Sequence, residues 1–392
     1  MTRWQIVWQC WQTELLHIFT DRAVLLVLAG GILFYAVLYP LPYQRSVPGE
    51  QAIAVLDQDR TALARQLIRM ADATPQIRVA AQPASMADAE NLLANGKVHG
   101  LMIIPAGFER DVFMGRPTSL SFAGDASYFL IYGNVVEGLM TAAITLSVES
   151  QVIMSLLKGE NPIHIPGQVM PMRLVTHPAF NPTGGYINYI VPAVFVLILH
   201  QTLLIAAGSL TIKDRARRRL GRPAPPLGLA LLVRLINFVV IYLLFAMLYF
   251  GFFFQFYGVP HVAAPASLLL FSALFFTSAT LFALWLGYIL PRAELPTVVV
   301  LLTSLPIVFT AGFAWPADNL PSWLDWISQL IPAKPGIQGF LSINQMGAPL
   351  SAIWREMVIL LALCLFYGGW LVRRARRENA LPHHATSTGV SP

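Results

Sequence analysis

Six long apolar stretches constrain this chain more than any other feature of its sequence. They run at about 23–41, 187–210, 227–254, 266–290, 296–314 and 353–372. A helix rises about 1.5 Å per residue, so each stretch is long enough to cross a hydrocarbon core of about 30 Å. Only 12% of the 392 residues are charged, whereas soluble domains carry about 25% charged residues. We therefore predict an α-helical polytopic membrane protein with six transmembrane helices.

A block of ordinary soluble composition at 42–186 separates the first two stretches. Within it, residues 51–57 have the composition of a buried strand, and residues 59–72 carry apolar side chains at helical spacing. Further runs of both kinds follow, and 128–157 contains few helix breakers. Alternating strands and helices indicate a small sheet covered by helices. We predict an α/β domain inserted between transmembrane helices 1 and 2.

The basic residues predict the orientation of the chain. Lysine and arginine in short segments stay in the cytoplasm, whereas large domains translocate largely regardless of charge. The two densest basic runs are KDRARRRLGR at 213–222 and RRARR at 373–377. Both lie on the same side when the six stretches are crossed in turn. We expect the two termini, including a tail at 373–392, to be cytoplasmic and the 42–186 domain to be extracytoplasmic.

Two segments are candidates for contact with partners at the cytoplasmic surface. The loop predicted at 213–226 is basic and lacks interleaved aromatic residues, so nucleic acid is not expected, whereas anionic membrane lipid or a docking protein is. In residues 1–22, Trp4, Trp8 and Trp11 follow helical spacing, which is typical of an interfacial helix. This helix is either a passive anchor or an elbow that transmits movement from a partner.

A second amphipathic element is expected on the opposite side, at 315–335. Its central part, LPSWLDWISQLIP at 320–332, is too short to cross the membrane. It therefore lies at the outer interface or re-enters the membrane, either as a stabilising cap or as part of an outer gate. The residues assigned to this gate are Gly312, Pro316, Trp323, Trp326 and Pro332.

A few polar side chains lie inside the apolar stretches. Arg234 is about two turns into the third stretch and is expected to snorkel to the inner surface. His200 and Gln201 lie near the middle of the second stretch, and Asn237 lies in the third. These three are candidate pathway residues, with hydrogen bonding between helices as the alternative.

Motifs that would supply catalysis or energy are absent from the sequence. It contains no G-x-x-x-x-G-K-[ST], H-E-x-x-H or G-x-S-x-G motif, and its eight histidines lack metal-ligand spacing. We expect no catalytic, cofactor-binding or metal site on this chain. The energy for any active transport must come from another polypeptide.

Four stretches, in this order, resemble a known family. They are AVLDQDRTALARQLIR (54–69), GKVHGLMIIPAGFERDVFMGRP (96–117), NPTGGYINYIVPAVF (181–195) and AGFAWPADNLPSWLDWISQLIPAKPGIQGFLSINQMGA (311–348). Together with the order of spans they resemble the permease subunit of type-2 ABC exporters (ABC-2-type). The resemblance is to the bacterial branch that works with a periplasmic membrane-fusion protein.

The resemblance implies partners and a docking surface. It implies a half-transporter in the bacterial inner membrane that pairs with a second permease chain, identical or related, and with two cytoplasmic ATPase subunits that bind ATP and Mg. It also implies that the ATPases dock on the N-terminal helix and on the loop after the second span. The residues concerned are Glu14, Asp21, Arg22, Lys213, Arg215, Arg217, Arg218 and Arg219.

The expected function is therefore export of an amphipathic substrate, such as a drug or a lipid, by the permease subunit of an ATP-driven transporter. One alternative is a non-transporting envelope receptor or assembly protein that uses its external domain. Another is an intramembrane enzyme acting on lipid, which the missing catalytic motifs disfavour.

Overall fold

The computed structural model describes residues 3–43, 49–126, 129–159, 180–181, 185–222 and 224–380. The chain forms two compact units. The larger unit comprises Met1–Ser46 and Pro178–Pro392, and the smaller unit comprises Val47–His177. Parts of the predicted domain at 42–186 and of the predicted tail at 373–392 lie outside the described residues.

Two helices open the larger unit. Helix α1 spans Arg3–Thr20, and α2 covers Arg22–Tyr43 with a wider π-helical turn in its first half. Asp21 lies between them, where its carboxylate accepts hydrogen bonds from the N–H groups of Ala23 and Val24 at 3.2 and 3.3 Å. An aspartate in this position satisfies N–H groups that the helix itself leaves unpaired. The chain therefore starts a new helix at residue 22.

The smaller unit alternates strands and helices. In chain order these are β1 (Gln51–Asp57), α3 (Ala62–Asp72), β2 (Ile77–Ala81), α4 (Met86–Ala94), β3 (Gly100–Ile104), α5 (Phe108–Phe113), β4 (Ser121–Gly124) and α6 (Phe129–Leu157). Within the described residues the strands form one sheet in the order β2-β1-β3-β4. The first three strands are parallel, and β4 runs antiparallel to β3. The small sheet predicted from the sequence is present.

Both faces of this sheet are buried, as is usual for parallel strands. On one face Ile53 and Val55 of β1 pack with α3 and with Val135 and Leu139 of α6. On the other face Leu56 packs with Ala89 of α4 and with its neighbours. Because strand side chains alternate between faces, the continuous apolar run of β1 serves both layers.

Asp59 holds the start of α5 in the smaller unit. Its carboxylate accepts hydrogen bonds from the N–H groups of Gly107 at 2.7 Å and Glu109 at 3.0 Å, and from the Thr61 hydroxyl at 2.7 Å. Partial burial opposes ionisation of Asp59, but these hydrogen bonds outweigh it and hold the pKa of the carboxyl below its ordinary value. Asp59 therefore caps α5 as a carboxylate.

Among the described residues, seven further helices complete the larger unit. They are α7 (Tyr186–Arg219), α8 (Leu227–Tyr257), α9 (Pro265–Ile289), α10 (Leu295–Thr310), α11 (Ser322–Ser328), α12 (Ala333–Asn344) and α13 (Trp354–Ala380). Helix α7 is central, since it packs against α2, α8, α9, α10 and α12. Its side chains are therefore buried nearly all around through residue 212, in agreement with the mostly apolar sequence of that part.

Six helices within the described residues are long and apolar enough to cross a membrane. They are Arg22–Tyr43, Ile131–Leu157, Tyr186–Arg219, Leu227–Tyr257, Pro265–Ile289 and Leu350–Glu378. The number of candidates agrees with the prediction and five of them coincide with predicted stretches, but one member differs. The stretch expected at 296–314 forms α10, whose 16 residues extend only about 24 Å, because the chain leaves the helix before Gly312 with its left-handed φ of 93°.

The long apolar helix that does not coincide with a predicted span, Ile131–Leu157, is the greater part of α6. From the sequence this segment was expected to be a helix of the inserted domain. In the structure it buries Val135, Leu139 and Leu146 in the core of the smaller unit, against α3 and the sheet. Part of its apolar character therefore serves that core.

Two glycines bring α12 close to α9. A Cβ atom at Gly336 would lie 2.2 Å from the ring of Phe275, and one at Gly339 would lie 2.4 Å from the ring of Phe271. Both distances are far below van der Waals contact, so any larger residue requires the rings to move. The short helix α12 is thereby embedded among α7, α9 and α13.

Candidate functional site

Helix α1 lies at one end of the larger unit, which we call the basic end; it comprises α1 and residues 213–219 of α7. Cys10, Glu14 and Ile18, spaced by four residues, form the face that α1 buries, and α1 packs against α8. Trp4 and Trp8 are exposed on other sides of the helix. This exposure of tryptophans suits a helix that lies along a membrane interface.

The basic run is helical, which corrects the prediction of a loop at 213–226. Helix α7 continues through residues 213–219 and ends only at Arg219, before Gly221 with its φ of 70°. Cations in the last turns are favourable because the C-terminal end of a helix carries a partial negative charge. At 34 residues, α7 is about 51 Å long and exceeds a hydrocarbon core of about 30 Å.

A buried ion cluster joins three helices at the basic end; it consists of Glu14, Thr211, Asp214, Arg218 and Arg234. Arg234 of α8 donates two hydrogen bonds of 2.9 Å to the carboxylate of Glu14 on α1. It also donates to the hydroxyl of Thr211 at 3.2 Å and lies 3.5 Å from Asp214, both on α7. Arg218 in turn pairs with Asp214 at 3.1 Å.

This arrangement corrects the expected role of Arg234. The side chain does not snorkel to the surface; it is 1% exposed and points into the bundle. Removing a guanidinium from water is costly, and the bidentate carboxylate compensates for that cost. Arg234 therefore stays buried because the carboxylate of Glu14, on another helix, accepts its hydrogen bonds and balances its charge.

The same pair changes the expected role of Glu14. It was expected on the docking surface, but the side chain is 3% exposed and both of its oxygens accept from Arg234. The carboxylate of Glu14 therefore positions α1 against α8, and it does not present a charge at the surface in this conformation.

Asp21 and Lys213 form a second link between α2 and α7. The Nζ of Lys213 lies 2.6 Å from a carboxylate oxygen of Asp21. Burial opposes ionisation of Asp21, but the hydrogen bonds from Lys213 and from the N–H of Val24 outweigh it and lower the pKa of the carboxyl. Asp21 therefore caps α2 and ties that helix to α7.

Arg215 and Arg218 make bonds to backbone carbonyls. Arg215 donates to the carbonyls of Tyr288 and Leu290 at the end of α9, the second at 2.6 Å. Arg218 donates to the carbonyl of Pro225 at 2.8 Å. The carbonyls at a helix end lack partners within the helix, so Arg215 supplies donors that α9 cannot supply itself.

The remaining predicted docking residues face outwards. Arg22, Arg217 and Arg219 are exposed, and Arg217 lies 3.0 Å from a ring nitrogen of His17. The structure thus divides the predicted set. Three arginines form a surface, while Glu14, Asp21, Lys213, Arg215 and Arg218 hold the helices that carry it.

The opposite end of the larger unit, which we call the tryptophan end, comprises residues 311–335. The element predicted there divides into α11 and α12, and α12 continues beyond residue 335 to Asn344. Trp323 and Trp326 are 65% and 73% exposed, whereas α12 is largely buried. Pro332 immediately precedes α12. The exposed tryptophans lie beside a short buried helix, and whether this element lies at the outer interface or re-enters the membrane stays a prediction.

Lys334 fixes the two short helices to each other. It is 1% exposed, and its Nζ lies 2.5 Å from Asp325 and 2.9 Å from the hydroxyl of Ser328. Arg355 approaches Asp325 from α13 at 3.8 Å. The hydroxyl of Tyr367 on α13 also donates to the carbonyl of Leu330 at 2.9 Å. The tryptophan end is therefore anchored to α13.

The three candidate pathway residues lie in the packed interior of the larger unit. His200 is buried between the rings of Phe275 and Phe282, and its ring nitrogens have no hydrogen-bond partner among the described residues. Gln201 donates to the hydroxyl of Ser304 on α10 at 2.9 Å. Asn237 is buried on α8. Hydrogen bonding between helices, the alternative interpretation, thus describes Gln201.

Four residues of these two ends are not among those predicted from the sequence: Thr211, Asp214 and His17 at the basic end, and Asp325 at the tryptophan end. A signal existed for the first group, because an arginine inside an apolar helix needs a buried carboxylate. Among the described residues, no group of three histidine, cysteine, aspartate or glutamate side chains is arranged to hold a metal ion.

A match to a protein-family model identifies the family of this chain. Residues 22–372 match the family model of the ABC-2 family transporter protein. The chain belongs to the ABC-2 transporter family. A comparison with curated proteins gives no match.

Membership of the ABC-2 family confirms the resemblance to an ABC-2-type permease. The chain is a multi-pass membrane component of an ABC transporter, and its family implies association with ABC ATPase partners. The matched region begins at Arg22. Helix α1 precedes it and is nevertheless bonded to α8 through Arg234.

Proposed function

We propose that this ABC-2 permease is the transmembrane subunit of an ATP-driven exporter that moves an amphipathic substrate, such as a drug or lipid, out of the cytoplasm or the inner membrane. Two ATPase subunits would bind ATP and Mg and supply the energy, and a second permease chain, identical or related, would complete the pathway. The observation that carries this proposal is the buried ion cluster, which links α1 to the central helix α7.

The orientation proposed is that predicted by charge. Both termini and the basic end would face the cytoplasm of a bacterial cell, and the smaller unit would face the periplasm. The clustering of arginines at the basic end supports this orientation, since lysine and arginine are retained in the cytoplasm. In the periplasm the smaller unit would meet a membrane-fusion protein.

In the proposed mechanism the ATPases press on the surface formed by Arg22, Arg217 and Arg219. Movement of that surface would be carried into the bundle, because Glu14 and Asp214 bind Arg234 of α8 in common. Helix α7 would then transmit the displacement along its length to α12. Residues 311–335 would form the gate through which substrate leaves.

The experiment that tests this proposal measures coupling in reconstituted vesicles. The full complex, purified with its ATPase, is compared with an Arg217→Glu/Arg219→Glu variant. The variant should keep its fold, because both side chains are exposed, and should lose substrate-stimulated ATP hydrolysis. An Arg69→Glu/Arg78→Glu variant, which reverses two exposed charges of the smaller unit, serves as the control.

Two outcomes of this experiment would contradict the proposal. If no ATPase co-purifies in mild detergent, the chain is not an exporter subunit and a receptor or assembly role is favoured. If both double variants retain coupling, the ATPase docks elsewhere.

A further inference from the structure

The smaller unit contains a cavity of about 990 Å³ between α5, the segment 114–120 and the C-terminal half of α6. Its floor includes Phe108 and Leu146, which are buried in the core, and the buried hydroxyl-bearing Ser150. Pockets for small molecules typically have about 300–1,000 Å³. The cavity is therefore of a size for a lipid or a drug-sized molecule.

The charge around this cavity has one sign. Arg116 and Lys158 line it and are exposed, and among the described residues that line it there is no acidic side chain. Ser147, Gln151 and Thr118 add neutral polar groups along the wall. Two exposed cations on the wall of a cavity that also has apolar lining suit a molecule that has a negative head and an apolar body.

The walls also allow the apolar body to vary in shape. Met114 and Met154 line the cavity, and the unbranched, polarizable methionine side chain adapts to ligands of different outline. Val112 and Leu120 complete the apolar surface. These features favour recognition of a chemical class over recognition of one compound.

We propose that this cavity binds an amphipathic anion, in which an aliphatic chain ends in a carboxylate or a phosphate. The head would bind Arg116 and Lys158, and the chain would lie on Phe108 and Leu146. That the bound molecule is the transported substrate rests on the proposed export function; the binding itself does not.

The test is photolabelling of the full-length protein in nanodiscs of zwitterionic phosphatidylcholine. The probes are a diazirine-bearing fatty acid, the corresponding lysophosphatidic acid and the corresponding fatty alcohol. Labelled peptides are mapped by mass spectrometry. Both acids should label residues 108–120 and 143–158, unlabelled fatty acid should compete, and the uncharged alcohol should label these peptides weakly. A difference between the two acids identifies the preferred head group.

An Arg116→Gln/Lys158→Gln variant should need about tenfold more fatty acid for the same labelling, because charge-assisted hydrogen bonds are lost. An Arg69→Gln/Arg78→Gln variant, which removes two exposed charges elsewhere in the smaller unit, should label as the unchanged protein does. Ser147→Trp narrows the cavity from its exposed wall and should lower labelling without a change of charge.

Labelling that is equal for acid and alcohol, or that is unaffected in both the charge variant and Ser147→Trp, overturns the site. Cross-linking of these peptides to a second copy of the chain, in place of the probe, overturns it as well. Specific labelling in a protein that fails the coupling experiment would retain the site and reject export. Absence of specific labelling in a protein with intact coupling would reject the site and retain export.

Discussion

At the scale of single residues, the position of Arg234 depends on a partner from the far end of the chain. The 220 positions that separate it from Glu14 include the whole smaller unit. Its two bonds to Glu14 and its approach to Asp214 place one guanidinium between α1 and α7. One side chain therefore determines how two other helices meet.

Removing one member of the buried pair should destabilise the larger unit. Glu14→Gln leaves Arg234 buried without its full countercharge, and breaking such a pair costs about 3–5 kcal/mol. We expect a clearly lower midpoint of thermal unfolding, measured by tryptophan fluorescence in detergent. The double variant Glu14→Met/Arg234→Met should recover most of the lost stability, because apolar replacement of a whole buried pair is often neutral.

The double variant also separates stability from coupling. Its unfolding midpoint should lie near that of the unchanged protein. Its complex with the ATPase should nevertheless hydrolyse ATP without stimulation by substrate, since the bonds from α1 to α8 are gone. Equal unfolding midpoints for Glu14→Gln and the unchanged protein would show that the pair does not stabilise the folded protein.

Asp59 gives a prediction about pH at the same scale. Its folded pKa is lowered, so its ionised form stabilises the fold above the unfolded pKa of about 3.9. That stabilisation is lost as the pH falls through the folded pKa. Asp59→Ala should destabilise α5 by about 1 kcal/mol at neutral pH, as expected for a lost helix cap. Hydrogen exchange of residues 107–113, corrected for intrinsic rates, measures the effect.

The difference in hydrogen exchange between the unchanged protein and the Asp59→Ala variant must also become smaller in acid. Below the folded pKa, protonated Asp59 no longer accepts as a carboxylate, so exchange in the two proteins should converge. A constant difference down to the lowest accessible pH would mean that the carboxylate is not the group that stabilises α5. Thr61→Val, which removes one donor to Asp59, should give a smaller effect.

At the scale of elements, the helical basic run means that its charges are held in fixed directions. Ala216→Pro should break the last turns of α7 without removing any charge, because proline lacks the N–H and clashes with the preceding turn, at a cost of about 3 kcal/mol. Coupling to the ATPase should be lost. Ala224→Pro, placed in the segment after the helix, should have little effect. Retained coupling in Ala216→Pro would show that charge alone suffices.

The elements differ in how far the sequence could predict them. The spans and the strand β1 follow from apolar runs whose length and composition are local properties. The helical state of residues 213–219 was missed because six charges suggested a loop, although the run contains no glycine or proline before Gly221. The link between Lys334 and Asp325 joins two separate short helices, so helical spacing does not predict it, but with the two charges only nine positions apart it was within reach of a search for nearby opposite charges. The partner of Arg234 was not, because only tertiary packing brings Glu14 to it.

The length of α10 shows a different limit. Its sequence is apolar through residue 314, yet the helix ends at Thr310. Hydropathy registers composition but not the left-handed backbone that follows at Gly312. The apolar character of α6 has the opposite effect, since a helix that covers a sheet resembles a span in composition.

At the scale of the whole molecule, orientation in the membrane is the property on which the proposed function depends. With Cys10 and Cys364 replaced by serine, a single cysteine is placed at Arg219 or at Asp88, both of which are exposed. A membrane-impermeant maleimide added to intact spheroplasts should label Asp88→Cys and leave Arg219→Cys unlabelled until the cells are opened. The reverse pattern would place the basic end outside and exclude docking of a cytoplasmic ATPase there.

The glycine contacts of α12 have a mechanical consequence. With no room for even a methyl group between Gly336 and Phe275 or between Gly339 and Phe271, α12 cannot turn about its own axis while the rings stay in place. Helices α9 and α12 must then move as one body. A passage that opens during turnover would have to form at a different helix interface, and α9 and α12 together would form one rigid wall of it.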